Sequence, residues 1–209
     1  MSIALSIGNN LTTNGVFTSS AVNNTSVSNV TDFASVPGGA VLKLLSTQTA
    51  SASATLSFTS GIDSTYDSYV FKFINIHLAS NTPFSFQGST DGGSSYGVTI
   101  TSSNFFSRHN ESDNSTGVSY SSANDLAQST SFQRLATDQG TNNDENMSGY
   151  LQIYNPSSTT FAKHFIARTQ SAQASDYSME RYVAGYFNST SAINSIQFKA
   201  ETGNIDAGI

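Results

Sequence analysis

Tyr69-Val-Phe-Lys-Phe-Ile-Asn-Ile-His-Leu78 is apolar on both faces through Phe73 and then on one face only, through Ile74, Ile76 and Leu78. That is the pattern of a strand covered on two sides at one end and on one side at the other. It is the strongest strand signal in the chain and belongs in the middle of its sheet. Upstream, Val41-Leu-Lys-Leu-Leu-Ser-Thr47 and the strictly alternating Ala54-Thr-Leu-Ser-Phe-Thr59 read as two further strands, and Gly61-Ile-Asp-Ser64 turns the chain between the second and Tyr69. Downstream, Pro83-Phe-Ser-Phe-Gln-Gly-Ser-Thr90 and Ser95-Tyr-Gly-Val-Thr-Ile-Thr101 flank Asp91-Gly-Gly93. Gly accepts the positive φ of tight reversals, so this pair is expected to be a hairpin. Gly149-Tyr-Leu-Gln-Ile-Tyr154 and Thr160-Phe-Ala-Lys-His-Phe-Ile-Ala-Arg168 are joined by the proline-led turn Asn155-Pro-Ser-Ser158, and Glu180-Arg-Tyr-Val-Ala-Gly-Tyr-Phe187 and Ile193-Asn-Ser-Ile-Gln-Phe-Lys-Ala200 follow.

Residues 102–146 are less regular and read as a long insertion at one end of the sandwich, with a short helix around Asn124-Asp-Leu-Ala-Gln128 capped by Asn124 or Asp125. The sum is about nine short strands without a βαβ unit, which predicts an all-β fold: an antiparallel β-sandwich, jelly-roll-like, over residues 41–209. No repeat at a period of about 20 to 50 residues points to a propeller or solenoid. At Asp206-Ala-Gly-Ile209 a strand is only beginning, so the sheet edge is expected to be completed by further residues or by a partner.

Residues 1–40 differ in kind. Asn, Ser, Thr and Val dominate, apolar residues come singly, and the stretch closes on Val36-Pro-Gly-Gly39. They read as an extended N-terminal arm that anchors the domain to a neighbour, or, because few apolar side chains offset the entropy of ordering, as a tail without structure.

About 80 of the 209 residues are Ser, Thr or Asn, and only 11% are charged, a surface solvated by small neutral groups. A net charge of −6 with 8 Lys plus Arg argues against nucleic-acid binding, which needs clustered cations to displace counterions. There is no cysteine, so disulfides and thiolate zinc sites are excluded and the redox compartment is not legible. Met1-Ser-Ile-Ala-Leu5 lacks the basic and apolar regions of a secretory signal, and no stretch approaches a membrane span, so synthesis in a cytoplasm without membrane insertion is the expectation. Sequons at Asn24, Asn114 and Asn188 are what chance supplies in such a composition.

Chemistry is sparse. Only His77, His109 and His164 could serve a hydrolytic triad, no Gly-x-Ser-x-Gly elbow occurs, and nothing selects a carboxylate pair. No catalytic, cofactor or metal site is assigned and the chain is expected not to be an enzyme. In an extended His109-Asn-Glu-Ser-Asp113, the side chains of His109, Glu111 and Asp113 would share a side and could meet a hard cation, though a solvated loop reads equally well. Asp138-Gln-Gly-Thr-Asn-Asn-Asp-Glu145 lacks EF-hand spacing. Tyr96, Phe105, Phe106, Tyr120 and Tyr177 lie in or near loops and would either stack on sugars or, the reading favoured in a chain without Trp, plug the sandwich ends.

Six stretches carry a family likeness: Leu45-Ser-Thr-Gln-Thr-Ala-Ser51, Phe58-Thr-Ser-Gly-Ile-Asp-Ser-Thr-Tyr-Asp-Ser-Tyr69, Ser89-Thr-Asp-Gly-Gly-Ser-Ser-Tyr96, Asp125-Leu-Ala-Gln-Ser-Thr-Ser-Phe132, Tyr154-Asn-Pro-Ser157 and Phe198-Lys-Ala-Glu-Thr-Gly-Asn-Ile-Asp-Ala-Gly208. Together they span most of residues 44–209, and they resemble virion structural proteins of marine tailed phages, of cyanophage and pelagiphage type. Members look like tail-fibre, tail-appendage or capsid-decoration β-sandwiches, many with a closing strand beyond the point where this chain stops. The resemblance implies a virion component, trimeric, bound to tail or capsid proteins and able to touch a host surface glycan. It carries no functional residues across, because its motifs are motifs of the fold. The tail side is the reading preferred over capsid decoration, with a carbohydrate-binding module as the competing class.

Overall fold

The computed structural model describes Thr12–Thr13, Val16–Phe17 and residues 42–209. The chain divides into two compact units, Met1–Lys43 and Leu44–Ile209. In the first, β1 (Thr12–Thr13) and β2 (Val16–Phe17) pair antiparallel; the rest of the arm expected over residues 1–40 lies outside the described residues.

The second unit is an all-β, antiparallel sandwich. Its strands are β3 (Leu56–Phe58), β4 (Ser68–Leu78), β5 (Thr82–Ser89), β6 (Ile100–Asn110), β7 (Thr116–Tyr120), β8 (Gln133–Gln139), β9 (Met147–Tyr154), β10 (Lys163–Ala172), β11 (Tyr177–Phe187), β12 (Ser195–Ala200) and β13 (Ile205–Ala207). They form a seven-stranded sheet, β13-β4-β9-β10-β11-β6-β7, and a four-stranded sheet, β3-β12-β5-β8. With β9–β11 collapsed to one strand and β13 set aside, the two sheets interleave as the two Greek keys of an eight-stranded jelly roll. The departure from that plan is a three-strand meander where a jelly roll has one strand, and it widens the larger sheet.

Alternation of the chain between sheets explains the main failure of the sequence reading. Asp91-Gly-Gly93 does reverse the chain, with Gly92 and Gly93 at φ +75° and +88°, and the Asp91 carboxylate accepts from Ser89 Oγ at 2.6 Å and from the Ser95 N–H at 3.0 Å. The reversal nonetheless carries the chain across the sandwich: β5 pairs with β12 and β8, β6 with β11 and β7. Local turn chemistry fixed the reversal but could not choose the partner. The supposed insertion over 102–146 holds β6, β7 and β8. Asn124–Gln128 is turn and coil, without a helix, and residues 42–47 form no strand. The β9–β10 hairpin is as expected. Asp206 lies within β13, which pairs with His77 and Leu78 of β4 on one side and meets the backbone of Ala52 and Ser53 on the other, so the strand begun there has partners within the chain.

The core joins the sheets through aromatic rings. Phe198 of β12 meets Phe71 and Phe73 of β4 edge-on, with centroids at 5.4 and 5.1 Å, and lies against Phe84 at 5.9 Å. Phe86 of β5 meets Phe165 of β10 at 5.1 Å, and Ile76, Leu78, Leu135, Met147 and Leu151 fill around them. β4 is interior to its sheet, but its alternation breaks. The register jumps between Phe73↔Gly149 and Ile76↔Met147, a β-bulge with Asn75 at φ +52°. Ile74 follows the buried Phe73 and points outward, 53% exposed, and the extra residue Asn75 then returns Ile76 and Leu78 to the inner face. Ile74 therefore does not share the inner face with Ile76 and Leu78.

Candidate functional site

The histidines do not build a triad. His77 on β4 ties a loop to the sheet edge, its ring nitrogens near the Asn142 carbonyl at 3.1 Å and Asp206 at 3.3 Å. His109 meets Asp113 at 3.0 Å, and His164 tilts beside Tyr186 on β10–β11. The segment 109–113 is the β6–β7 turn, not extended backbone: the Asp113 N–H donates to the Asn110 carbonyl. It therefore brings Asp113 to His109 without Glu111. In the 138–145 loop, the Glu145 carboxylate accepts from the Asn142 N–H at 2.7 Å and works as a loop brace. Among the described residues, no three His, Asp or Glu side chains cluster as metal ligands.

Two cations are buried deeply: Lys163, which donates to the Ser189 carbonyl at 3.0 Å, and Arg181. Arg181 of β11 points into the sandwich between β6 and β8, 3% exposed, donating to Asn104 Oδ1 at 2.8 Å and Thr137 Oγ1 at 2.7 Å. The Phe106 ring lies 5.4 Å from its guanidinium carbon. Burial pushes the guanidinium down to about 10, because a desolvated cation faces neutral partners. With Gln133, Gln139, Thr169 and Gln173, also buried, it makes one end of the interior polar. The arrangement ties β11 to β6 and β8 through buried hydrogen bonds.

Two surfaces carry recognisable contact chemistry. The first is the outer face of the seven-stranded sheet. The strand registers place Lys72 (β4), Tyr150 (β9), Arg168 (β10), Tyr182 (β11), Phe105 (β6) and Tyr120 (β7) side by side in a single row across six strands. Phe105 and Tyr182 stack with centroids at 4.8 Å and planes 7° apart, which matches the spacing of neighbouring strands. The rings therefore stand upright on the sheet, faces together and edges to solvent. Arg168 lies over the other side of Tyr182 at 5.3 Å and is held by Glu180, whose carboxyl the Arg168 hydrogen bond keeps below its ordinary range. Phe105, Val118, Tyr120, Tyr150, Tyr154 and Ile166 are all exposed here.

The second surface is a cleft of about 550 Å³ beside the smaller sheet, where Ala123, Asn124, Asp125, Leu126 and Phe132 face Arg134, Lys199 and Glu201. Arg134 donates to both Glu201 oxygens, at 2.5 and 2.7 Å, and to Asn124 Oδ1 at 3.0 Å. The Lys199 ammonium sits 4.0 Å from the Phe132 ring centroid, and Tyr120 donates to Asp125 at 2.5 Å. The fold thus joins Asp125–Phe132 to the Phe198–Gly208 stretch, two segments far apart in sequence.

Of the aromatics singled out from sequence, Phe105 and Tyr120 lie on the outer sheet face and do not plug the sandwich ends. Phe106 and Tyr177 are half-buried beside Arg108, and the Tyr96 hydroxyl is enclosed. Lys72, Tyr150, Arg168 and Tyr182 were not singled out, nor were Phe132 and Lys199. For the row, the available signal was alternation within each strand; the alignment between strands requires the register. No protein-family model, curated protein or solved structure matches this chain.

Proposed function

We propose that the chain is a structural component of a bacteriophage virion, a tail-fibre or tail-appendage protein attached through its N-terminal arm, with capsid decoration as the alternative location. It works by contact, without catalysing a reaction, and its partners are further copies of itself, drawn as a trimer from the family likeness, together with tail or capsid proteins. The observation that supports this reading best is the open outer face of the large sheet. A row of aromatic and cationic side chains, upright and solvent-facing, offers a wide surface for a macromolecule but no reacting group for a small substrate. The sequence resemblance supplies the phage context. Deleting residues 1–40 is expected to leave a folded domain that no longer enters particles, read by particle purification and immunogold labelling. Normal incorporation of the truncated chain refutes the anchor role, and absence of label from particles made with the full chain refutes the virion role.

The cleft favours a second activity for the same protein, contact with host surface glycans. Phe132 supplies an aromatic ring, and Arg134, Glu201 and Asn124 supply hydrogen-bonding groups already locked in position, the mixture that sugar hydroxyls and C–H faces require. On a glycan array, binding that disappears in Phe132→Ala and survives in Phe161→Ala supports this activity. An array on which the full chain binds nothing removes it.

A further inference from the structure

We infer that the outer face of the seven-stranded sheet pairs with the same face of a second copy, about a two-fold axis that runs along the strands between β10 and β11. The inference rests on the self-associating reading above and specifies the surface and the symmetry.

The area suffices. Six strands about 4.8 Å apart cover about 29 Å, and three outward rows about 6.7 Å apart cover about 20 Å, so the three rows cover roughly 580 Å² in projection and about 1,160 Å² over two copies, above the about 1,000 Å² total that a specific interface needs. A monomer rarely leaves so much aromatic surface in water.

The row itself selects the occupant. Upright rings packed face to face offer edges, which suit interdigitation with a second ridged sheet better than the flat stacking a sugar needs. A two-fold axis along the strands apposes the row to its own reverse: Lys72 meets Tyr120, Tyr150 meets Phe105, and Arg168 meets Tyr182, by the order in which the registers set them. Each cation then meets the hydroxyl end of an upright tyrosine, whose oxygen can accept its hydrogen bond, and none faces a cation. The alternative axis, across the strands, would set Lys72 on Lys72 and Arg168 on Arg168, which like-charge repulsion disfavours.

The flanking rows agree. Val70, Gln152, Ile166, Ala184 and Ser103 form the next row on one side, and its reversal puts Ile166 on Ala184 and Gln152 on Ser103. On the other side, Ser148, Gln170, Glu180, Ser107 and Val118 are aligned, and reversal puts Gln170 on Glu180 and Ser148 on Ser107. The bulge residue Ile74, outside Ser148, lies where Val118 of the second copy arrives. In the flanking rows Ile166 thus meets Ala184 and Ile74 meets Val118, while the Gln, Glu and Ser side chains meet one another.

The test is the mass of the purified full-length chain by light scattering across a concentration series. A dimer is expected or, if the subunits also form the trimer that the family likeness implies, a hexamer of paired trimers, and a trimer alone overturns the inference. Ile166→Glu, an exposed position whose change leaves the fold intact by circular dichroism, should weaken association about 30-fold or more, as central interface residues do. Ser103 and Gln152 lie three strands apart within one chain but opposite each other across the axis. Ser103→Lys with Gln152→Glu should therefore retain pairing, and Ser103→Lys with Gln152→Lys should lose it. A chain monomeric at every concentration, or an oligomer indifferent to all these changes, overturns the inference. Immunogold labelling of particles is independent of these measurements, so the virion reading and the pairing can fail separately.

Discussion

Phe198→Ala is the substitution that most directly tests how the two sheets are held together. Phe198 is 2% exposed and touches Phe58, Phe71, Phe73, Phe84 and Phe86, drawn from β3, β4 and β5. A buried phenylalanine removes at least about 150 Å² from water, worth about 4 kcal/mol at 25 cal/mol per Å². Alanine keeps a small part of that, and the cavity left among five rings adds to the loss, which gives about 3–5 kcal/mol. Against a total stability of about 5–15 kcal/mol this is a large fraction, and it corresponds to a fall in Tm of about 6–20 °C for a domain of this size. With no Trp in the chain, unfolding in urea is followed by far-UV circular dichroism and tyrosine fluorescence. Phe198→Leu, which keeps most of the volume, should lose less than half as much, and Phe161→Ala, at a site 71% exposed, should stay within about 0.5 kcal/mol of the parent. A loss below about 1.5 kcal/mol for Phe198→Ala would mean that the rings are not a shared core, and the account of the sandwich would fail with it.

Three further outcomes are expected. Asn75 sits at φ +52° in the β4 bulge, so Asn75→Gly should be neutral or slightly stabilising and Asn75→Val should cost about 1–2 kcal/mol; equal stabilities in urea would show that the bulge does not constrain the backbone. Three carboxyls titrate below their ordinary values: Asp63 through the Thr65 hydroxyl, Asp91 through the Ser89 hydroxyl and Glu180 through Arg168. Because folding lowers these values, their stabilisation is complete above the ordinary 3.8 to 4.5 and disappears as pH falls through the lowered values. Urea midpoints should therefore be level from pH 7 to 5 and drop below about pH 4.5, less steeply in Asp91→Asn; an acid limb unchanged in that variant would remove Asp91 from the explanation. The Arg134–Glu201 pair is two-pronged but about one-third exposed on each side, so a double-mutant cycle should return a coupling of about 0.5–1 kcal/mol, and a value near zero would leave the cleft wall without its brace.

Much of the fold was legible along the chain. The alternation in Ala54–Thr59, the apolar run from Tyr69 and the Asn155-Pro turn announced strands and a hairpin because those signals are local: side-chain period and turn geometry act over a few residues. β7 and β8 were harder to see. Thr116–Tyr120 is exposed throughout, so it has no alternation to read, and Gln133–Gln139 buries Gln133, Thr137 and Gln139, so its inner face is largely polar. The sequence reading of Ile74, Ile76 and Leu78 as one face failed because a single bulge residue resets the alternation.

Composition and two-residue periodicity depend on no distant partner, and they were enough to read a cysteine-free, weakly charged, all-β chain. That the Asp91-Gly-Gly turn joins two sheets, that Phe132 and Lys199 meet, and that Lys72, Tyr150, Arg168, Tyr182, Phe105 and Tyr120 form one row emerges in the folded chain alone. Those facts rest on strand pairing between segments tens of residues apart. Pairing is set by which registers bury the apolar faces together, a condition satisfied by the whole chain and visible in none of its strands alone.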